Sequence, residues 1–305
     1  MIVQTRLDPV SVTVPVAGLR TPVSPAVGYS RAVVPQRLAR PRTYLMCRPT
    51  YFAVTYAINA WMDPTVGVDI ELAIAQWEEL RRTYELLGHT VHVLRARPGL
   101  PDMVFAANGG FSVGGVFYSA RFAFPQRAAE RPAHLDWYEV NNWPSIRPGD
   151  FTNEGEGDFT YLPGSELVLA GHGFRTDRRA HAEAARVLNR EVLSLELVDP
   201  RFYHLDTALF VLDDETICYY PGAFGETSRE LLERRFPGAL LATEADALAF
   251  GLNAVSDGRH VVVSAAATGL IDRLASLGYH PVPVADSELR KAGGSAKCCT
   301  AELRH

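Results

Sequence analysis

The sequence predicts a mixed α/β protein, and three observations carry that expectation. Apolar residues make up 47% of the 305-residue chain, enough for a substantial buried core. Short apolar runs bounded by turn residues recur along it, with amphipathic stretches of helical period between them. Successive helices are separated by more than one strand candidate, which argues against a strictly alternating parallel barrel.

Folded structure is expected to begin near Tyr44, where TYLMCRP reads as a strand ending at Pro49. Residues 69–87 follow as a helix, with Leu72, Trp77, Leu80, Tyr84 and Leu87 at helical spacings, and Gly88 stops it. HTVHVL then reads as a strand, and further strands are expected at 115–120, 166–170, 208–212, 216–220 and 260–266. Three more amphipathic helices fall at 176–190, 226–236 and 267–277. Thr176 and Asp177 offer a cap to the first, and Thr227 or Ser228 to the second. Residues 141–165 are polar, glycine-rich and aromatic-bearing, and a long irregular stretch of this kind usually serves a site. Similar βαβ-sized units recur without enough identity to define a repeat.

Residues 1–40 are rich in Pro, Val and Arg and are expected to be a flexible extension, with 41–305 a single domain. They lack the apolar core of a secretion signal, although their Arg-rich composition also fits a mitochondrial presequence. A net charge of −5 gives no reason to expect nucleic-acid binding, and no stretch suits a membrane span. Residues 1–40 carry five arginines against Asp8, so the remainder is the more acidic part and suits a cationic ligand. Four cysteines without CxxC spacing form neither a disulfide framework nor a zinc site, which fits a reducing, cytoplasmic setting. Cys47 and Cys218 read as small buried hydrophobes.

Several short motifs carry side chains suited to chemistry. In HLDTALFVLDD, His204 and Asp206 stand two apart at the start of an apolar run, a spacing suited to proton transfer or to a cation. A surface histidine beside a turn aspartate fits the same residues. NEGEGDF gathers Glu154, Glu156 and Asp158 around glycines, a setting for a guanidinium or ammonium group, or a solvated acidic turn. AGHGFRT puts Arg175 between a strand and a helix, where it can clamp a carboxylate. PDMVFAANGG offers Asp102 to a cationic head and Asn108 to orient it, although Asn108-Gly109 is also an ordinary turn signal. The chain then ends in GGSAKCCTAELRH, with half of its cysteines adjacent in a segment that frays unless it is tied down.

In this order the motifs resemble those of the guanidino-group-modifying superfamily of dimethylargininases, arginine deiminases and amidinotransferases, over residues 44–303. The resemblance implies a pseudo-fivefold α/β-propeller of ββαβ-like units around a central polar pocket, with the terminal cysteine returned to that pocket. It implies Cys298 as nucleophile, His204 as the catalytic histidine, and substrate-binding roles for Asp102, Asn108, Glu154, Asp158, Arg175 and Asp206. Glu154 is favoured over Glu156 as the family glutamate. Asn108 stands where many members carry aspartate, and Lys297, beside the nucleophile, is expected to lower the thiol pKa.

The function implied is a cysteine-dependent hydrolase of a guanidino substrate, converting N-omega-methylated arginine to citrulline plus methylamine or dimethylamine. Arginine deiminase and amidinotransferase chemistry stay open, as does a non-catalytic guanidino-binding or redox-sensing protein. No metal or organic cofactor is implied. The expected partner is a small guanidino or ureido amino acid, with a homodimer compatible and neither nucleic acid nor membrane involved.

Overall fold

Five small sheets, each of three strands, form the β structure of the protein, whose computed structural model describes residues 37–305. Every sheet repeats one order: an antiparallel pair, a crossover through helix, and a third strand parallel to the second. The first sheet joins β1 (Thr43–Cys47) to β2 (Thr90–Leu94) across α1 (Ile70–Leu86), and its remaining strand comes from the C-terminal end of the chain. The second holds β3 (Gly110–Val113), β4 (Val116–Ser119) and β5 (Ser145–Pro148), with α2 (Pro125–Ala128) and α3 (Arg131–Val140) in its crossover. The third holds β6 (Phe159–Leu162), β7 (Leu167–His172) and β8 (Val192–Glu196) around α4 (Arg178–Leu188). The fourth holds β9 (Leu209–Val211), β10 (Ile217–Tyr219) and β11 (Leu240–Leu241) around α5 (Glu226–Arg235). After α6 (Glu244–Leu248), the fifth holds β12 (Val255–Ser256), β13 (His260–Ser264) and β14 (His280–Val284) around α7 (Thr268–Ser276). Helix α8 (Ser287–Arg290) leads to β15 (Ala301–Glu302), which pairs antiparallel with β1. The sheets are open, and their fivefold recurrence is the α/β-propeller that the resemblance implied.

Local sequence accounts for these elements. Asp69 caps α1 by accepting the Leu72 amide, and Gly88 ends it with φ of 89°. Trp77, Leu80 and Tyr84 form its buried face. Leu72, expected on that face, is 42% exposed because it lies roughly 140° around the helix from Trp77. Helix α5 starts at Gly225 with no side-chain cap, so neither Thr227 nor Ser228 plays that part. Ser228 instead accepts the Glu196 amide of β8. The expected irregular stretch at 141–165 contains β5 and β6, four residues each and too short to show a period.

Apolar packing joins neighbouring sheets and their helices, as where Leu169, Leu195, Ile217, Val261 and Leu274 share one core. Fully burying side chains of this size stabilises the fold by about 1.5–3 kcal/mol each. Residues 1–36, most of the expected extension, lie outside the described residues. Its last residues are tied to the domain, with Arg37 paired to Asp213 at 2.5 Å.

Candidate active site

Each antiparallel pair is entered through a short irregular segment, and all five segments bring polar side chains to one buried region. Asn108 precedes β3, Glu154 and Asp158 precede β6, and His204 and Asp206 precede β9. Asn253 precedes β12 and Cys298 precedes β15. All seven are buried, an environment that magnifies each unpaired charge or hydrogen-bonding group.

Cys298 Sγ lies 3.1 Å from Asp206 Oδ2, to which the thiol donates. Asn253 Nδ2 donates to the same sulfur at 3.1 Å. Burial and then the Asp206 charge push the thiol pKa well above its usual value. Burial likewise lifts the Asp206 carboxyl to about 7, against the pull of the Lys297 charge. Both causes favour the neutral thiol over the thiolate. Cys299 is also fully buried, and burial raises its thiol pKa too.

His204 Nε2 meets Glu154 Oε2 at 2.9 Å, while its Nδ1 has no protein partner. The same Glu154 oxygen accepts from Arg175 at 2.7 Å, and Glu154 Oε1 accepts the Ala123 amide. Burial works to raise the Glu154 carboxyl, but Arg175 and His204 overcome it and hold the group well below the usual carboxylate range. Asp158 accepts from Thr176 Oγ1 at 2.7 Å and from the Leu205 amide at 3.1 Å, fixing the His204 segment. Burial raises its carboxyl to about 6. Gly157 is required here, since a Cβ would stand 2.4 Å from Asn108 Nδ2 and 3.0 Å from His204 Nδ1.

Asp102 accepts from the Tyr56 hydroxyl through Oδ2, and its Oδ1 has no protein partner. Burial raises its carboxyl, opposed by the Arg127 charge. Asn108 accepts from Arg127, which also forms a two-point contact with Glu130, so Asn108 belongs to a buried polar cluster behind Asp102. The loop between β1 and α1 is tied to the region by hydrogen bonds. Its Ile58 carbonyl accepts from Arg175, Asn59 donates to the Ala292 carbonyl and Trp61 donates to the Arg201 carbonyl.

The two loop glutamates part company. Glu154 meets His204, whereas Glu156 pairs with Lys297 and with Arg304 and accepts the Glu302 amide. Lys297 therefore turns from Cys298 to Glu156 and the Thr300 carbonyl, contrary to its expected place beside the thiol. With Asp206 it borders a cavity of about 50 Å³, whose wall also includes Arg42, Tyr44 and Arg304. Asn253 is the contributor that sequence reasoning missed. The available signal was its position ahead of β12, matching the polar residues ahead of the other hairpins.

Three buried atoms, Asp102 Oδ1, Asp206 Oδ1 and His204 Nδ1, lack a protein partner, a costly condition unless a ligand supplies one. Two carboxylates able to face a planar cation, beside a thiol and an imidazole, suit attack on a guanidinium carbon.

No protein-family model matches the chain. It is 53% identical over 268 residues to an N(G),N(G)-dimethylarginine dimethylaminohydrolase of Mycobacterium tuberculosis, covering 88% of each chain. It is 35% identical to a bifunctional arginine dihydrolase/ornithine cyclodeaminase of Synechocystis, over 84% of this chain and 37% of that one. The crystal structure of the N-terminal domain of the arginine dihydrolase ArgZ, covalently bound to a reaction intermediate, superposes with a TM-score of 0.83 at 34% identity, covering 86% of this chain and 97% of that one. A dimethylarginine dimethylaminohydrolase adduct shares the fold, with a TM-score of 0.71 at 16% identity, over 87% of this chain and all of the other.

Proposed function

Because the chain belongs to the guanidino-group-modifying superfamily and is a hydrolase of its dimethylargininase-like kind, we propose that it cleaves N-omega-methylated arginine through Cys298. The observation that carries this reading is the Cys298–Asp206 contact in an enclosed site that also holds the His204–Glu154 pair.

In this reading Asp102 and Asp206 receive the guanidinium N–H groups, and Arg175 holds Glu154 in place to orient His204. The arriving positive charge offsets the burial that keeps Cys298 protonated, so substrate itself favours thiolate. Cys298 passes its proton to His204, and the thiolate attacks the guanidinium carbon and forms a C–S bond, giving a neutral tetrahedral adduct. His204 delivers a proton to the methylated nitrogen, the C–N bond breaks and the amine leaves, with a thiouronium remaining on Cys298. His204 then takes a proton from water as its oxygen bonds to the same carbon. Collapse of that adduct breaks the C–S bond as the hydroxyl proton passes to the departing sulfur, restoring the thiol and releasing citrulline. Dividing one displacement between two steps is the gain from covalent catalysis.

A second reading, arginine as substrate with ammonia leaving, is favoured by the arginine dihydrolase relatives at 35% and 36% identity. Four free, buried cysteines support a reducing, cytoplasmic setting. No described helix is long and apolar enough to cross a membrane.

The test offers purified protein dimethylarginine, monomethylarginine and arginine separately and reads the products by mass and amine release. Citrulline and dimethylamine from dimethylarginine are expected, with Cys298→Ser inactive and Cys299→Ser retaining most of the rate. Ammonia from arginine without dimethylamine release would move the assignment to the second reading. Turnover surviving in Cys298→Ser would end both.

A further inference from the structure

We propose that Asn253 is a positioning residue for the nucleophile, anchoring the Cys298 segment and donating the hydrogen bond that favours its thiolate. The inference rests on Cys298 acting as nucleophile in the proposed function.

The Asn253 side chain is fully buried and all four of its hydrogen-bonding valences are used. Oδ1 accepts the backbone amides of Ser295 at 2.9 Å and Cys298 at 3.0 Å. Nδ2 donates to the Asp206 carbonyl and to Cys298 Sγ, both at 3.1 Å. The network fixes the amide orientation, because a flipped side chain would turn its NH2 toward two N–H donors. One residue thus spans the two segments that carry Cys298 and Asp206.

Asp206 and Asn253 act on the sulfur with opposite sign. The carboxylate next to Sγ disfavours negative charge there, while the amide donor favours it, and burial amplifies both. A donor placed in advance stabilises the thiolate without any rearrangement when substrate arrives.

The backbone that presents Asn253 is constrained. Phe250 is a buried aromatic residue in the left-handed region, with φ of 58°, a conformation that costs energy for a bulky side chain. At Gly251 a Cβ would stand 2.7 Å from Ala267 Cβ and 2.9 Å from the Asp246 carbonyl oxygen. The turn closes with Asn253 donating its amide to the Phe250 carbonyl. The fifth hairpin thereby offers its polar residue at the place where the other four offer Asn108, Asp158, Asp206 and Cys298.

Asn253→Asp separates the two parts of this role. Its Oδ1 can still accept both backbone amides, but the donor to Sγ is replaced by carboxylate oxygen. The measurement is the rate of Cys298 alkylation by iodoacetamide against pH, read on the Cys298 peptide by mass spectrometry, alongside kcat and KM. The half-rise is expected to move up by about one pH unit or more in Asn253→Asp, with kcat falling further than KM rises. Asn253→Ala, which removes the donor without adding charge, is expected to shift upward by less, and it carries the test if the aspartate variant does not fold. A profile unmoved from wild type in the folded variants overturns the inference while leaving the proposed function standing. A wild-type protein that turns over no guanidino substrate removes the reading and this inference with it.

Discussion

Asp206 serves two neighbours at once, since its carboxylate accepts from the Cys298 thiol and its backbone carbonyl accepts from Asn253. Burial raises that carboxyl to about 7, so it is half protonated near that pH in the free protein. As pH falls through 7, Asp206 takes a proton and loses the charge that the proposed function assigns to balancing an incoming guanidinium. The expected outcome is an acid limb of kcat/KM centred near 7, because that ratio reports groups of the free enzyme. Asp206→Asn should lower kcat/KM by about two orders of magnitude through the lost charge-assisted contact. A limb centred in the ordinary carboxylate range near 4 would show that Asp206 is not the group being titrated. At this scale much was legible in the sequence, because His204, Asp206 and the adjacent cysteines stand in distinctive company. The resemblance favoured Glu154 over Glu156, but spacing alone did not separate them, since a two-residue offset in a glycine-rich loop does not say which way either side chain turns. Asn253 was hidden for another reason: a lone Asn in GLNAV looks like any other turn residue until its fold partners are known.

Among the elements, the segment before β6 does two jobs that its single acidic run concealed. Glu154 turns to the His204 side, and Glu156 binds Lys297 and Arg304 near the C-terminal strand. Glu156 is 1% exposed, so its neutralisation leaves two largely buried cations facing an amide. Breaking a buried ion pair in this way costs about 3–5 kcal/mol. Glu156→Gln should therefore lower the midpoint of thermal unfolding by about 6–20 °C at 2–4 °C per kcal/mol. Calorimetry of the two proteins at one pH checks this, and an unchanged midpoint would mean that the cluster contributes nothing net. The longer elements were readable because α1, α4, α5 and α7 span enough turns to show their period. Strands β3, β5, β6, β11, β12 and β15 have two to four residues each, too few for alternation to register. Helix α3 also escaped notice, since the proline in RPAHLDWYEV sits in its first turn and resembles a breaker.

Across the whole molecule, the first sheet is completed by strands from both ends of the described chain. Tyr44 pairs with Glu302 and Leu45 with Ala301, and the Leu303 amide donates to the Thr43 carbonyl. Ser112 of β3 adds a tie to the Glu302 carbonyl, while Arg304 reaches Glu156. Cys298 lies only three residues before β15, so the contacts that complete this sheet also hold the Cys298 loop at its C-terminal side. Deleting residues 301–305 removes those ties together and leaves Glu156 buried with one cation fewer. The loss should be at least the about 3–5 kcal/mol of a broken buried pair, a large part of the 5–15 kcal/mol that typically stabilises a domain. The shortened protein should melt on the order of 10 °C lower or more and lose at least about 100-fold in turnover. Activity should fall further than the folded fraction does, because Asn253, the Ala107 amide and Tyr84 would hold the loop without the strand that fixes its far end. The folded fraction comes from circular dichroism and turnover from product release, measured on the same sample below its melting range. Turnover that falls only in proportion to the folded fraction would show that the completed sheet stabilises the molecule without setting the position of Cys298.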